Sequence, residues 1–86
     1  MIYPAALKKE METKLQKLRI QKGFSQSELA AASNVKKRAI QCYEQELRPI
    51  DHARLETLCD LSIALECKIE ELLESETLIE KLKMIK

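Results

Sequence analysis

The chain is poor in the residues that make turns and strands. Its 86 residues include one glycine, two prolines, no tryptophan and 3% aromatic side chains. A fold of many short strands needs turn residues at regular intervals, so a turn-rich β fold is not expected. With so few rings, the core has to be aliphatic. The three cysteines, Cys42, Cys59 and Cys67, are odd in number and form no C-x-x-C pair, which argues against a disulfide framework. No apolar run approaches the roughly 20 residues of a membrane span. Lys8, Lys9 and Glu10 interrupt the N-terminal apolar stretch that a secretory signal would need. These absences predict a cytoplasmic protein with no membrane association. The single histidine, His52, has no nucleophile beside it, and no glycine-rich phosphate cradle exists. No enzyme, cofactor or metal is therefore expected, and His52 reads as a surface or capping residue.

What remains favours helix: Leu, Lys, Glu, Ala and Ile dominate. The net charge of +1 is uninformative, but its distribution is not. Residues 1–54 hold 11 Lys/Arg against 6 Asp/Glu, and residues 55–86 hold 4 against 8. A basic front and an acidic back suit one face for an anion and another turned away from it; two solvated faces of different charge are the alternative.

Apolar spacing divides the chain into helices. Pro4 can open a first helix whose stripe is Leu7, Met11, Leu15 and Leu18, stopped by Gly23 with Phe24 packing back. Ser25 and Glu28 form an S-x-x-E capping box for a short helix over 26–32, with Leu29 and Ala30 inward. Ser33, Asn34 and Val35 form a tight turn, Asn34 being tolerant of positive φ. A third helix is predicted over 36–46. Ala39, Ile40 and Tyr43 share its inner side, while Lys37, Arg38, Gln41 and, less squarely, Cys42 face out. Pro49 ends this segment and Asp51 can cap a fourth helix over 52–65, carrying Leu55, Leu58, Leu61, Ser62 and Leu65. A fifth begins near Lys68 with Ile69, Leu72 and Leu73. Past Ser75 the apolar phase slips to Leu78, Ile79, Leu82 and Ile85, which requires a kink or a sixth helix.

Residues 25–44 thus spell two short helices joined by a tight turn, a helix-turn-helix. The second has a size suited to the major groove of DNA, where arginine can pair with guanine and glutamine with adenine. Lys36, Lys37 and Arg38 lie at its N-terminal end, the end that meets bases in this motif. The free amides at the N-terminus of the preceding helix, near Ser25 and Gln26, can hold a phosphate.

The residues L-R-I-Q-K-G-F-S-Q-S-E-L-A (18–30), N-V-K-K-R-A-I-Q-C-Y-E (34–44), R-P (48–49), L-E-T-L (55–58) and A-L-E-C-K-I-E-E-L-L (64–73) resemble the Xre/Cro/repressor class of helix-turn-helix domains. The resemblance implies an all-α, lambda-repressor-like bundle of five or six helices spanning 1–86, with its core at 15–74 and short helical extensions. It implies that Gln26 grips the DNA backbone and that Lys37, Arg38 and Cys42 read bases, with Lys36 and Gln41 close by. It also implies an internal ion pair between Arg19 and Glu44. The chain departs from the pattern at Asn34 and Glu66, which stand for glycines, and at Lys36, which stands for a capping Ser or Thr.

The expected partner is double-stranded DNA, bound as a homodimer, since a lone module of this size reads few bases. Leu78, Ile79, Leu82, Met84 and Ile85 can form an interface stripe or fold back on Leu7, Met11 and Leu15. A transcriptional repressor is the leading reading. The rivals are an antitoxin or bridging subunit holding a protein partner, and a redox or metal sensor built on Cys42, Cys59, Cys67 and His52.

Overall fold

A computed structural model describes residues 12–85, which form five α-helices, two 3₁₀ turns and no strand. The helices are α1 (Lys14–Gln21), α2 (Gln26–Ser33), α3 (Lys37–Glu44), α4 (Leu55–Leu65) and α5 (Glu76–Met84). The 3₁₀ turns span Ile50–His52 and Ile69–Glu71.

Most of the boundaries have a local cause. Thr13 lies in extended backbone and its hydroxyl accepts from the Gln16 amide at 3.2 Å, capping α1. The stripe containing Leu15 and Leu18 therefore starts at Thr13; Pro4, Leu7 and Met11 lie outside the described residues. At the other end Gly23 adopts φ +80°, its amide bonding the Ile20 carbonyl at 2.9 Å while the Phe24 amide bonds Arg19 at 3.0 Å. This is a Schellman closure, whose left-handed residue costs glycine nothing. Glu46 (φ 60°) and Glu66 (φ 55°) close α3 and α4 in the same way without glycine. The left-handed Glu46 is why α3 stops at Glu44 and not at the expected 46.

Ser25 and Glu28 make the reciprocal capping box of α2: the Ser25 hydroxyl accepts from the Glu28 amide at 3.0 Å and the Glu28 carboxylate from the Ser25 amide at 2.8 Å. Asn34 takes φ 62° in the turn that follows. Beneath it the Ser33 hydroxyl donates to the Leu29 carbonyl and accepts from the Val35 amide.

Leu15, Leu29, Ile40, Leu61 and Leu72 are wholly buried, one from each of α1 to α4 and one from the segment after the second 3₁₀ turn. Each such side chain contributes about 1.5–3 kcal/mol on leaving water. Val35, Tyr43, Ile50, Leu58, Leu65, Leu73 and Ile79 complete the buried set. α2 packs on both α3 and α4 and holds the helix-turn-helix against the rest.

In the C-terminal third two expectations change, and the choice between a kink and a sixth helix resolves to a helix. The fifth helix near Lys68 is only a 3₁₀ turn over Ile69–Glu71, with Leu72 and Leu73 both buried directly after it. The slip in apolar phase after Ser75 is a separate helix, α5, capped by the Ser75 hydroxyl. Its Leu78, Ile79 and Leu82 pack into this chain's own core, so they are not a free interface stripe; only Met84 and Ile85 stay exposed. On α4, Leu55 is 69% exposed and no core residue.

Asp51 does not cap α4, whose N-cap position is held by Arg54 with no side-chain cap hydrogen bond. It reaches across the chain instead, its carboxylate accepting from the amides of Glu74 (2.8 Å) and Ser75 (3.2 Å). The Glu74 carboxylate in turn accepts from the Lys14 amide at 2.7 Å. These bonds tie the start of α1 and the start of α5 to the loop after α3. Asp51→Ala should lower stability by about 1–2 kcal/mol, whereas Asp51→Asn, which keeps an acceptor, should lose less. Urea unfolding midpoints of the three proteins check this.

Candidate nucleic-acid interface

The outward surface of the helix-turn-helix is organised from the inside. Ile40 and Tyr43 anchor α3 in the core, with Ala39 half-buried beside them. The last residue of α3, Glu44, is also buried, and its carboxylate collects donors from two other helices. Arg19 of α1 donates from Nε to Oε2 at 2.6 Å and from Nη2 to Oε1 at 3.1 Å. The remaining Arg19 nitrogen, Nη1, donates to the Phe24 carbonyl at 2.9 Å, bracing the α1–α2 loop. Gln26 of α2 donates its amide to Glu44 Oε1 at 3.0 Å. The Arg19 and Glu44 side chains are 11% and 3% exposed, so the charges are shielded from solvent and satisfied by a two-pronged fit.

Three cations stand outside this knot. Lys36, Lys37 and Arg38 are exposed at the N-terminal end of α3. None of them is in an ion pair among the described residues, where the two pairs are Arg19–Glu44 and Lys22–Glu66. Lys36 is the residue before α3 and makes no side-chain cap, as its chemistry predicts. Gln41 and Cys42 are half-buried and not fully outward. The Gln41 amide donates to the Gln26 carbonyl oxygen at 3.4 Å, so both ends of the Gln26 carboxamide are held within the chain. Ser25 spends its amide and one lone pair on the capping box and retains its hydroxyl hydrogen. The first turn of α2 leaves the Gln26 and Ser27 amides without intrahelical acceptors.

Sequence reasoning missed the neighbouring ground. An open groove of about 600 Å³ runs between α3, the loop after it and the start of α4, with Lys36, Arg48, His52 and Arg54 among its lining residues and Glu56 and Asp60 at its α4 side. The clue was available: Arg48, His52 and Arg54 punctuate a loop between two helices whose inner faces are fixed.

The cysteines do not gather. All three are free and half-buried, and no group of three or more His, Cys, Asp or Glu is placed to hold a metal among the described residues. Burial pushes the Cys67 thiol above its ordinary value, and the Glu71 charge adds to this. No helix among the described residues is long and apolar enough to cross a membrane.

Two short helices about a tight left-handed turn, the second showing cations outward and aliphatics inward, define a helix-turn-helix domain. The helix-turn-helix family HTH_3, the Xre/lambda-repressor type of DNA-binding regulator, matches residues 15–72, and the chain belongs to it. Comparisons with curated proteins and with solved structures gave no match.

Glu44→Ala should destabilise the domain by about 3–5 kcal/mol, because it strands a shielded guanidinium; replacing both partners by Arg19→Met with Glu44→Leu should cost much less. Guanidinium unfolding of the single and double variants is the measurement. Because thiolate is the reactive form, alkylation of Cys67 by iodoacetamide should begin to accelerate only at a pH above that of an unperturbed thiol. A rate–pH profile that turns up at the ordinary thiol value would contradict this.

Proposed function

We propose that this protein is a sequence-specific transcriptional regulator, a repressor, that reads the major groove of DNA with α3 as a homodimer. The observation that carries the reading is the cluster Lys36–Lys37–Arg38. Three cations with no ion-pair partner among the described residues lie at the N-terminal end of a helix whose opposite face is locked by Ile40, Tyr43 and Glu44. A helix held so firmly presents its outer side chains in a fixed frame, which base recognition requires.

Within that frame Lys37 and Arg38 are the base readers, Arg38 being suited to the paired acceptors of guanine. Cys42 sits further along the helix; a thiol is a weak hydrogen-bonding group, so its part is apolar contact, as with a thymine methyl. Gln41 borders the bases while bonded to Gln26. Gln26, Ser25 and Lys36 grip the phosphate backbone, helped by the open amides of α2. Arg48 and Arg54 continue the cationic ground past Lys36. A two-fold dimer places two α3 helices in successive major grooves, about 34 Å apart, on a pseudo-palindromic site. Repression follows because occupancy of a promoter is sufficient for it.

Arg38→Ala should weaken binding to the preferred site about 5–150-fold and relax preference at one base pair. Lys36→Ala should weaken all sequences alike and reduce the slope of log affinity against log salt by about 0.9. Fluorescence anisotropy on duplexes selected from a random pool measures both. If Arg38→Ala changes neither affinity nor preference, α3 is not the reading helix.

A further inference from the structure

The apolar side chains that remain exposed include two groups whose surroundings carry opposite charge. On α4, Leu55 and Ile63 are 69% and 75% exposed, and half-buried Cys59 lies midway between them. Steps of four residues set the three along one narrow stripe of the helix. Exposed Glu56 and half-buried Asp60 flank the stripe, and Glu66 follows at its C-terminal end, already paired with Lys22. Arg54, just before the helix, is the nearest cation in sequence, and Lys36, Arg48 and His52 line the groove that Glu56 and Asp60 border. The other face of α4 is spent on the core through Leu58, Leu61, Ser62 and Leu65.

The second group closes α5. Met84 and Ile85 are 78% and 70% exposed; Lys81 and Lys83 beside them are exposed too, as is Glu80 one turn before Met84, leaving this end of the helix with one net positive charge. Both groups are bare in the same chain, so neither covers the other within it.

We infer that the two groups are the halves of one contact between two copies of the chain. The Met84–Ile85 end of α5 in one copy covers the Leu55–Cys59–Ile63 stripe of α4 in the other, with Lys81 and Lys83 reaching Glu56 and Asp60. A two-fold axis forms the contact twice, each copy giving one α4 stripe and receiving another, which closes the pair at two. Charge disfavours the like-with-like pairings. Two α4 stripes would bring Glu56 and Asp60 against their own copies, and two α5 ends would do the same with Lys81 and Lys83. This inference rests on the homodimer proposed above and specifies its surface: α4 against α5.

The test is made on the full chain without DNA. Met84→Cys under mild oxidation should give a covalent dimer whose disulfide maps to the introduced thiol and Cys59 of the second copy, and Cys59→Ser in that background should abolish it. A covalent dimer that survives Cys59→Ser runs from the introduced thiol to its own copy or through Cys42 or Cys67, which disulfide mapping distinguishes, and overturns the inference. A ladder of larger species overturns the two-fold closure, and absence of any covalent dimer overturns the contact itself. In parallel, Lys81→Glu with Lys83→Glu should raise the dimer dissociation constant about tenfold in sedimentation equilibrium, and adding Glu56→Lys with Asp60→Lys should restore it. Failure of the swap to restore dimerisation counts against the pairing, and far-UV circular dichroism establishes that every variant is folded. None of these readings involves DNA. A failed cross-link therefore leaves the α3 assignment standing, while an unaffected Arg38→Ala variant would remove that assignment and leave the dimer surface intact.

Discussion

The Glu44 carboxylate is the point on which the arrangement of the first three helices turns. It lies at the end of α3, receives the guanidinium of Arg19 from α1 and the carboxamide of Gln26 from α2, and is almost wholly removed from water. Aliphatic packing alone is tolerant of small rotations between helices. A planar guanidinium fitted by two prongs to a planar carboxylate is not. Burying such a pair adds little net stability, since desolvation of both ions offsets most of their attraction. Its effect here is geometric: it fixes the pitch of α3 relative to α2, and with it the direction in which the outer side chains of α3 leave the domain.

The surface inherits that geometry. Gln26 is fixed by the same carboxylate, and Gln41 is fixed by Gln26, so a hydrogen-bonded chain runs from the interior to the edge of the exposed cationic cluster. The groups closest to the core are ordered by partners within the chain, and those furthest out, Lys36, Lys37 and Arg38, have no ion-pair partner among the described residues. The uneven distribution of charge along the sequence has a matching arrangement in space. Cations cluster at the start of α3 and along the neighbouring groove, while acidic residues gather on α4 and in the segment before α5.

Much of this was legible in the sequence, and the reason is locality. The Ser25–Glu28 box, the glycine stop at Gly23 and the left-handed Asn34 are determined by residues within a few positions of one another, and each has a single chemical solution. The inner face of α3 follows from helical period alone. The Arg19–Glu44 pair was visible only through the family resemblance, because nothing local joins residues 25 apart. Other features escaped for the same cause. Asp51 looks like a cap for the helix after it, yet its amides come from Glu74 and Ser75. Leu55 completes an apolar stripe by spacing, but the core is filled by Leu58, Leu61 and Leu65 before it is reached. Gln41 faces outward by period, and its partner on α2 draws it sideways. The Thr13 cap is itself a local signal, a threonine with glutamine three residues on.

Three of the five helices end in the same Schellman closure, and only the first uses glycine for its left-handed residue. Glu46 and Glu66 hold a side chain where the backbone favours none, at roughly 1 kcal/mol each. For a domain whose whole margin of folding is on the order of 5–15 kcal/mol, that is a sizeable standing charge on stability. It enlarges the fraction of molecules open to proteolysis at any moment, and so shortens lifetime and lowers steady-state dosage. Strain at these two helix ends thus bears on how long the folded chain persists, a property separate from the chemistry of the Lys36–Arg38 cluster.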